Sequence, residues 1–214
     1  MKTSELIEAL SAAGGAPDRP TPIATRLILA ALVGATASAI VLAAWLGFQP
    51  IKPAMRTSWF WMKWGYGAAA ALAGMAMAIP LSRPGGRIRL ASLALVGAAL
   101  VAIGMMAMHS AMRTAPVDRL GLWLGHTWMV CPWRILALAA PIWLGAILVM
   151  RQLAPTRLGP AGAAAGLLAG GVSVMVYGLY CQETAAPFVA IWYTLGIAVS
   201  AGIGWLLGPR LLRW

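Results

Sequence analysis

The chain has 214 residues, 61% of them hydrophobic and 10% charged, with a mean hydropathy of +0.82; that composition excludes an ordinary soluble domain and belongs in lipid. Sixteen Lys and Arg against five acidic residues leave a net charge of +11 and a pI near 11.1. The cations are scattered between long uncharged runs rather than gathered on one face, so they read as topology marks and not as a nucleic-acid surface.

The first 26 residues lack a short apolar core followed by a cleavage motif, so they do not read as a cleaved secretory signal. From Thr3 to Ala13 the spacing predicts a short amphipathic helix. Leu6, Ile7 and Leu10 share one face, Glu5 and Glu8 lie beside them, and Thr3 or Ser4 can cap the start. Gly14-Gly15-Ala16-Pro17 then breaks the helix. Such a helix can lie on the bilayer, but its acids suit a basic protein partner better than anionic lipid.

Six apolar stretches follow, at about 27–48, 64–81, 90–112, 129–150, 158–180 and 187–207, leaving a tail at 208–214 behind a Gly208-Pro209-Arg210 stop. The expected fold is therefore an all-α integral membrane protein of six transmembrane helices. The turn Ser82-Arg83-Pro84-Gly85-Gly86-Arg87-Ile88-Arg89 reads as a short cytoplasmic loop. Residues 113–134 read as an interfacial segment leading into a fourth span, which carries Pro141. In the fifth stretch Gly162, Gly166 and Gly170 recur every four residues, a small-residue face that lets a neighbouring helix approach closely.

With six spans both termini share one side. An N-terminus inside puts Lys2, Arg19, Arg26, Arg83, Arg87, Arg89, Arg151, Arg157, Arg210 and Arg213 in the inner segments, and Lys52, Arg56, Lys63, Arg113, Arg119 and Arg134 in the outer ones. The asymmetry predicts cytoplasmic termini. Trp45, Trp59, Trp61, Trp64, Trp128, Trp133 and Trp192 then form an outer aromatic belt, with Trp205 and Trp214 at the inner interface.

All five carboxylates, Glu5, Glu8, Asp18, Asp118 and Glu183, fall outside the predicted spans, so the sequence presents no ionisable group at membrane depth of the kind a proton-coupled transporter needs. Paired acids, a phosphate-cradling glycine loop and an HExxH helix are also missing, and no enzymatic activity or cofactor is expected. What stands out is a soft, polar cluster on the outer side. His109 and Met105, Met106, Met108 and Met112 approach the end of the third span, His126 and Met129 follow, Cys131 opens the fourth span and Cys181 closes the fifth. Two cysteines at one depth on one face admit three readings: small buried apolar residues, a redox-responsive pair, or soft-metal ligands, for which His109 and His126 are candidate helpers.

Gly125-His126-Thr127-Trp128-Met129-Val130-Cys131-Pro132, Gly162-Ala163-Ala164-Ala165-Gly166, Tyr177-Gly178-Leu179-Tyr180-Cys181 and the closing Pro187-Phe188-Val189-Ala190-Ile191-Trp192 and Gly208-Pro209-Arg210-Leu211-Leu212-Arg213-Trp214 carry a likeness. The chain resembles the NrsF family of bacterial inner-membrane anti-sigma factors, negative regulators of sigma F, over nearly its whole length. The resemblance implies a multi-pass protein of the cytoplasmic membrane that sequesters an extracytoplasmic-function sigma factor. It further implies release of that factor on envelope stress, oxidant or heavy metal, sensed by two periplasmic-side cysteines, here Cys131 and Cys181. Beside the second cysteine the chain departs from the family pattern with Tyr180 and Gln182.

A head of 26 residues is too short to build an independent domain core, so the grip on the partner is expected from a helix docking into a groove, from the cytoplasmic loops and tail, or from both; the favoured candidates are Leu6, Ile7 and Leu10 as anchors with Glu5 and Glu8 facing cations. The protein would touch lipid and a sigma factor but no nucleic acid directly; its oligomeric state stays open. The alternatives are a small membrane transporter or a quinone-linked thiol oxidoreductase using the same cysteines, and a structural assembly subunit. A CxxC pair, the usual mark of such an oxidoreductase, is missing.

Overall fold

A computed structural model describes residues 3–13 and 21–213. Among them every regular element is helical: α1 (Thr3–Ala13), α2 (Ile23–Trp45), α3 (Ile51–Ala54), α4 (Ser58–Leu81), α5 (Leu90–Arg113), α6 (Arg119–Leu124), α7 (Cys131–Arg151), α8 (Leu158–Tyr177) and α9 (Ala186–Leu211). Helices α2, α4, α5, α7, α8 and α9 are 20 to 26 residues long with mean hydropathy from 1.3 to 2.4, enough at 1.5 Å per residue to cross a hydrocarbon layer of ~30 Å. Within α9, Val189–Tyr193 winds as a π-helix.

The helix bounds differ from the expected ones where a charge or a breaker was taken as a boundary. Arg26 lies inside α2, its Nε donating to Thr21 Oγ1 at 2.8 Å. Helix α4 starts at Ser58 rather than 64 and so includes Lys63. Helix α9 passes through Gly208-Pro209 and ends at Leu211, because Gly208 lets it lie against α8: a Cβ there would stand 2.3 Å from the Leu158 carbonyl oxygen.

Helix α8 is the axis of the bundle. Built largely of Gly and Ala, it has the largest buried share of the six, because backbones can approach it from two sides. On the α9 side, a Cβ at Gly162 would meet the Gly204 oxygen at 2.1 Å and one at Gly166 the Ser200 oxygen at 2.3 Å. On the α4 side, a Cβ at Gly171 would stand 2.4 Å from the Ala71 nitrogen and one at Gly74 of α4 2.3 Å from the Leu168 nitrogen. The glycine repeat is thus a packing device.

Polar side chains fasten the remaining pairs. Ser38 of α2 donates to the Leu138 carbonyl of α7 at 2.6 Å, and Tyr66 of α4 is 2.6 Å from Thr194 of α9. After α2 the chain folds over the end of α8, where the Gln49 side chain donates to the Gly178 carbonyl (2.8 Å) and its backbone N–H to the Leu179 carbonyl (3.0 Å). Helix α5 is the most peripheral, with the smallest buried share of the six. At the other end of the bundle the Gly85 N–H reaches Thr156 Oγ1 at 3.0 Å, joining the α4–α5 and α7–α8 loops.

Candidate functional site

Both cysteines lie at one end of the bundle, and the folding there follows from short-range constraints. Cys131 is the first residue of α7, with Pro132 behind it; the missing proline N–H costs nothing in a first helical turn, whose N–H groups have no partner within the helix. The Cys131 N–H donates to the Thr127 carbonyl at 2.9 Å, so the thiol sits on a hydrogen-bonded turn. Cys181 ends a second turn, closing the end of α8 with an N–H bond to the Tyr177 carbonyl at 3.0 Å.

The two turns are brought together by Glu183. One carboxylate oxygen, Oε1, accepts from the His126 N–H at 2.7 Å, the Thr127 N–H at 3.1 Å and the Thr127 hydroxyl at 3.3 Å, with His126 Nδ1 at 3.8 Å. The loop before α9 thereby clasps the turn that opens α7. Gly125 makes this approach possible: its φ is +59°, a left-handed value that glycine adopts freely, and a Cβ there would stand 2.5 Å from the Phe188 ring and 2.9 Å from the Glu183 carboxylate.

Both cysteines are free thiols, 0% and 2% exposed, in one apolar cluster with Ile135, Val174, Tyr177, Phe188 and Tyr193. They are electrostatic neighbours of each other, of Lys63 and of Glu183. The structure thus joins the two residues that the sequence placed at one depth. Cys181 also lines a cleft of about 410 Å³ with His126, Thr127, Tyr180, Gln182 and Glu183, whereas Cys131 does not. Above the cluster the Arg134 guanidinium lies 5.3 Å from the Tyr180 ring, and Trp192 donates to the Trp123 carbonyl at 2.8 Å.

Lys63 overturns the expectation that no ionisable group lies within a span. It is fully buried, about 8 Å inside α4 at 1.5 Å per residue, and its ammonium donates to the Cys181 carbonyl at 2.8 Å. The Trp59 ring lies 4.6 Å from it and the Tyr193 ring 6.0 Å. A solitary cation inside the aromatic run Trp59-Phe60-Trp61-Met62-Lys63-Trp64 is the sequence signal for this placement; reading it as a loop charge hid it. Glu183 likewise carried a signal, as the lone acid of the loop that follows Cys181.

The histidines do not join the thiols. His109 is exposed on α5, and the His126 side chain is 98% exposed at the rim of the cleft. Among the described residues no three of His, Cys, Asp and Glu converge as a metal site. Met105, Met106, Met108, Met112 and Met129 are exposed.

At the N-terminus, α1 forms over the expected residues. Glu5, Leu6, Ile7 and Glu8 are all exposed, Leu6 at 43% and Ile7 at 63%, so two large apolar side chains stand uncovered beside two acids. The Leu10 side chain and the Gly14–Pro17 break lie outside the described residues.

Comparison with known proteins places the whole chain. The family described as "Negative regulator of sigma F" matches residues 12–214. The chain is 37% identical over 215 residues to the "Probable anti-sigma-F factor NrsF" of Azospira oryzae, and 37% identical over 217 residues to the "Anti-sigma-F factor NrsF" of Caulobacter vibrioides, covering all of each chain in both cases. No solved structure matches it.

Proposed function

The chain belongs to the NrsF family of negative regulators of sigma F, and on that premise we propose that it is a membrane-held anti-sigma factor that grips an extracytoplasmic-function sigma factor through α1 and lets it go when Cys131 and Cys181 react. Full-length likeness to proteins named as anti-sigma-F factors carries this reading. The bundle and the head fit it: six apolar helices anchor the protein in the cytoplasmic membrane, and α1 presents Leu6 and Ile7 between Glu5 and Glu8 to a groove with a basic rim.

Signalling needs two states of the bundle. The reduced, Glu183-clasped arrangement is the holding state, and reaction of the buried pair forces α7 and the α8–α9 loop into another. A swing from 1:99 to 99:1 takes about 5.5 kcal/mol, and a disulfide, at ~2 to 4 kcal/mol and sometimes more, supplies much of it. The chain acts as a regulator and not as an enzyme.

The test is a pull-down from detergent-solubilised membranes with the tagged full chain as bait, repeated after deletion of residues 1–15. Recovery of one sigma factor, lost on deletion, supports the grip as drawn. Recovery unaffected by deletion moves the grip to the loops, and recovery of no sigma factor under reducing and oxidising conditions alike overturns the function.

A further inference from the structure

The thiol cluster contains a charge that anchoring does not require. Lys63 is buried completely, and a buried ammonium costs several kcal/mol in desolvation unless it is paired. Its geometry offers one carbonyl, that of Cys181 at 2.8 Å, and two aromatic faces, and among the described residues no carboxylate lies within ion-pair distance of it. A further donor shares this interior. The hydroxyl of Tyr193, on a fully buried side chain, makes no hydrogen bond and has the thiols among its polar neighbours, while the Tyr177 hydroxyl has the Arg134 guanidinium as well as the thiols beside it. Two donors, Lys63 and Tyr193, left short of acceptors beside two thiols form a preorganised site for negative charge, the arrangement proteins use where an anion appears during reaction.

We propose that Lys63 is the positioning residue that makes Cys181 the attacking thiol of the pair, with Cys131 as the thiol that resolves it. Two independent features favour Cys181. It alone of the pair lines the 410 Å³ cleft through which a small electrophile can enter, and its own carbonyl holds the ammonium against its backbone. Thiolate, not thiol, is the nucleophile, and a cation held at the Cys181 backbone favours the charge involved in the attack. With a hydroperoxide as oxidant, the Cys181 thiolate attacks one peroxide oxygen, the O–O bond breaks and the departing alkoxide takes a proton, leaving a sulfenic acid. The Cys131 sulfur then attacks the Cys181 sulfur. The S–S bond forms, and the sulfenic oxygen leaves as water with the Cys131 proton. The anion that Lys63 faced is gone. The tie between α4 and the Cys181 turn changes with it, so α4 joins α7 and α8 in carrying the signal.

The proposal rests on the two thiols being the sensor, and its test is independent of sigma-factor release. Full-length protein in lipid nanodiscs is treated with N-ethylmaleimide, and modification of each cysteine is followed by mass spectrometry. In wild type Cys181 is modified at least about tenfold faster than Cys131; Lys63→Met slows Cys181 by about tenfold, while Lys63→Arg stays within about threefold of wild type. Loosening of the bundle by Lys63→Met would instead speed both cysteines, so misfolding and loss of the counter-charge move in opposite directions. Under hydrogen peroxide, Cys131→Ser accumulates a dimedone-reactive sulfenic acid at Cys181, and Cys181→Ser gives none at Cys131. Faster modification of Cys131, or Cys181 rates unaltered or raised in Lys63→Met, overturns the proposal. If Cys181 behaves as described but Cys→Ser variants release the sigma factor normally, the chemistry stands and the sensor reading falls.

Discussion

Glu183→Ala removes the clasp between the turn that opens α7 and the loop before α9, and its effect can be sized. Three donors converge on one carboxylate oxygen at 2.7, 3.1 and 3.3 Å. Hydrogen bonds to a charged group contribute about 1.5–3 kcal/mol, but three that share one oxygen do not add, and His126 is open to water that replaces part of the loss. The net cost to the clasped state is therefore about 1.5–3 kcal/mol, roughly ten- to 150-fold in an equilibrium. If the holding state outweighs the released one by about 99 to 1, the substitution raises the unstimulated released fraction from about 1% to roughly 10–60%. A sigma-dependent reporter reads this directly, with membrane levels of the variant measured beside it. Glu183→Gln, which keeps an acceptor oxygen but loses the charge, falls between the two. A Glu183→Ala protein that inserts normally and represses as tightly as wild type refutes the coupling of clasp to grip.

Leu6→Asp or Leu10→Asp, by placing a charge on the anchoring face of α1, is expected to raise reporter output to the level of a null strain, while carbonate-washed membranes retain the protein. Cys131→Ser, Cys181→Ser and the double variant are expected to give one and the same altered response to a thiol-reactive agent, measured as reporter induction; additive or unequal effects would refute a pair acting as a unit. Gly166→Leu pushes against the Ser200 carbonyl and is expected to cost at least 1–3 kcal/mol, seen as a lower melting temperature in detergent, whereas Gly202→Ala, with open space around it, melts like wild type.

The six spans were readable because each is a long uncharged run, and the bundle's axis because a glycine repeat every four residues can only face a close neighbour. The meeting of Cys131 with Cys181 followed from counting spans, which puts a helix start and a helix end on the same side. What the sequence hid were the groups whose role depends on tertiary partners. Lys63 looked like a loop cation: the aromatic run around it was a local signal, but the Tyr193 ring and the Cys181 carbonyl that complete its surroundings lie far along the chain. Glu183 looked like a loop acid, although its acceptors face N–H groups 56 and 57 residues away in the chain. Tyr177 was seen only as part of a motif. A helix boundary placed at a charge is the common source of the error: a charge ends a span only when its partner is water.

That correction sharpens the orientation of the bundle. The expected outer loops carried six cations against ten inside, and one of the six, Lys63, belongs to α4 and is withdrawn from water. With Lys63 withdrawn the count becomes ten against five, in the direction the positive-inside rule expects of a cytoplasmic face at the end that holds the termini. The proposed grip of α1 asks for the same orientation for an unrelated reason, since a sigma factor is met only in the cytoplasm and α1 precedes the first span. Both arguments favour the expected topology with cytoplasmic termini. A fluorescent protein fused after Trp214 is expected to fluoresce, and alkaline phosphatase inserted after Thr184 to be active. An active phosphatase at the C-terminus together with an inactive one after Thr184 would turn the bundle over, placing α1 where no sigma factor can reach it and the thiols in a reducing compartment.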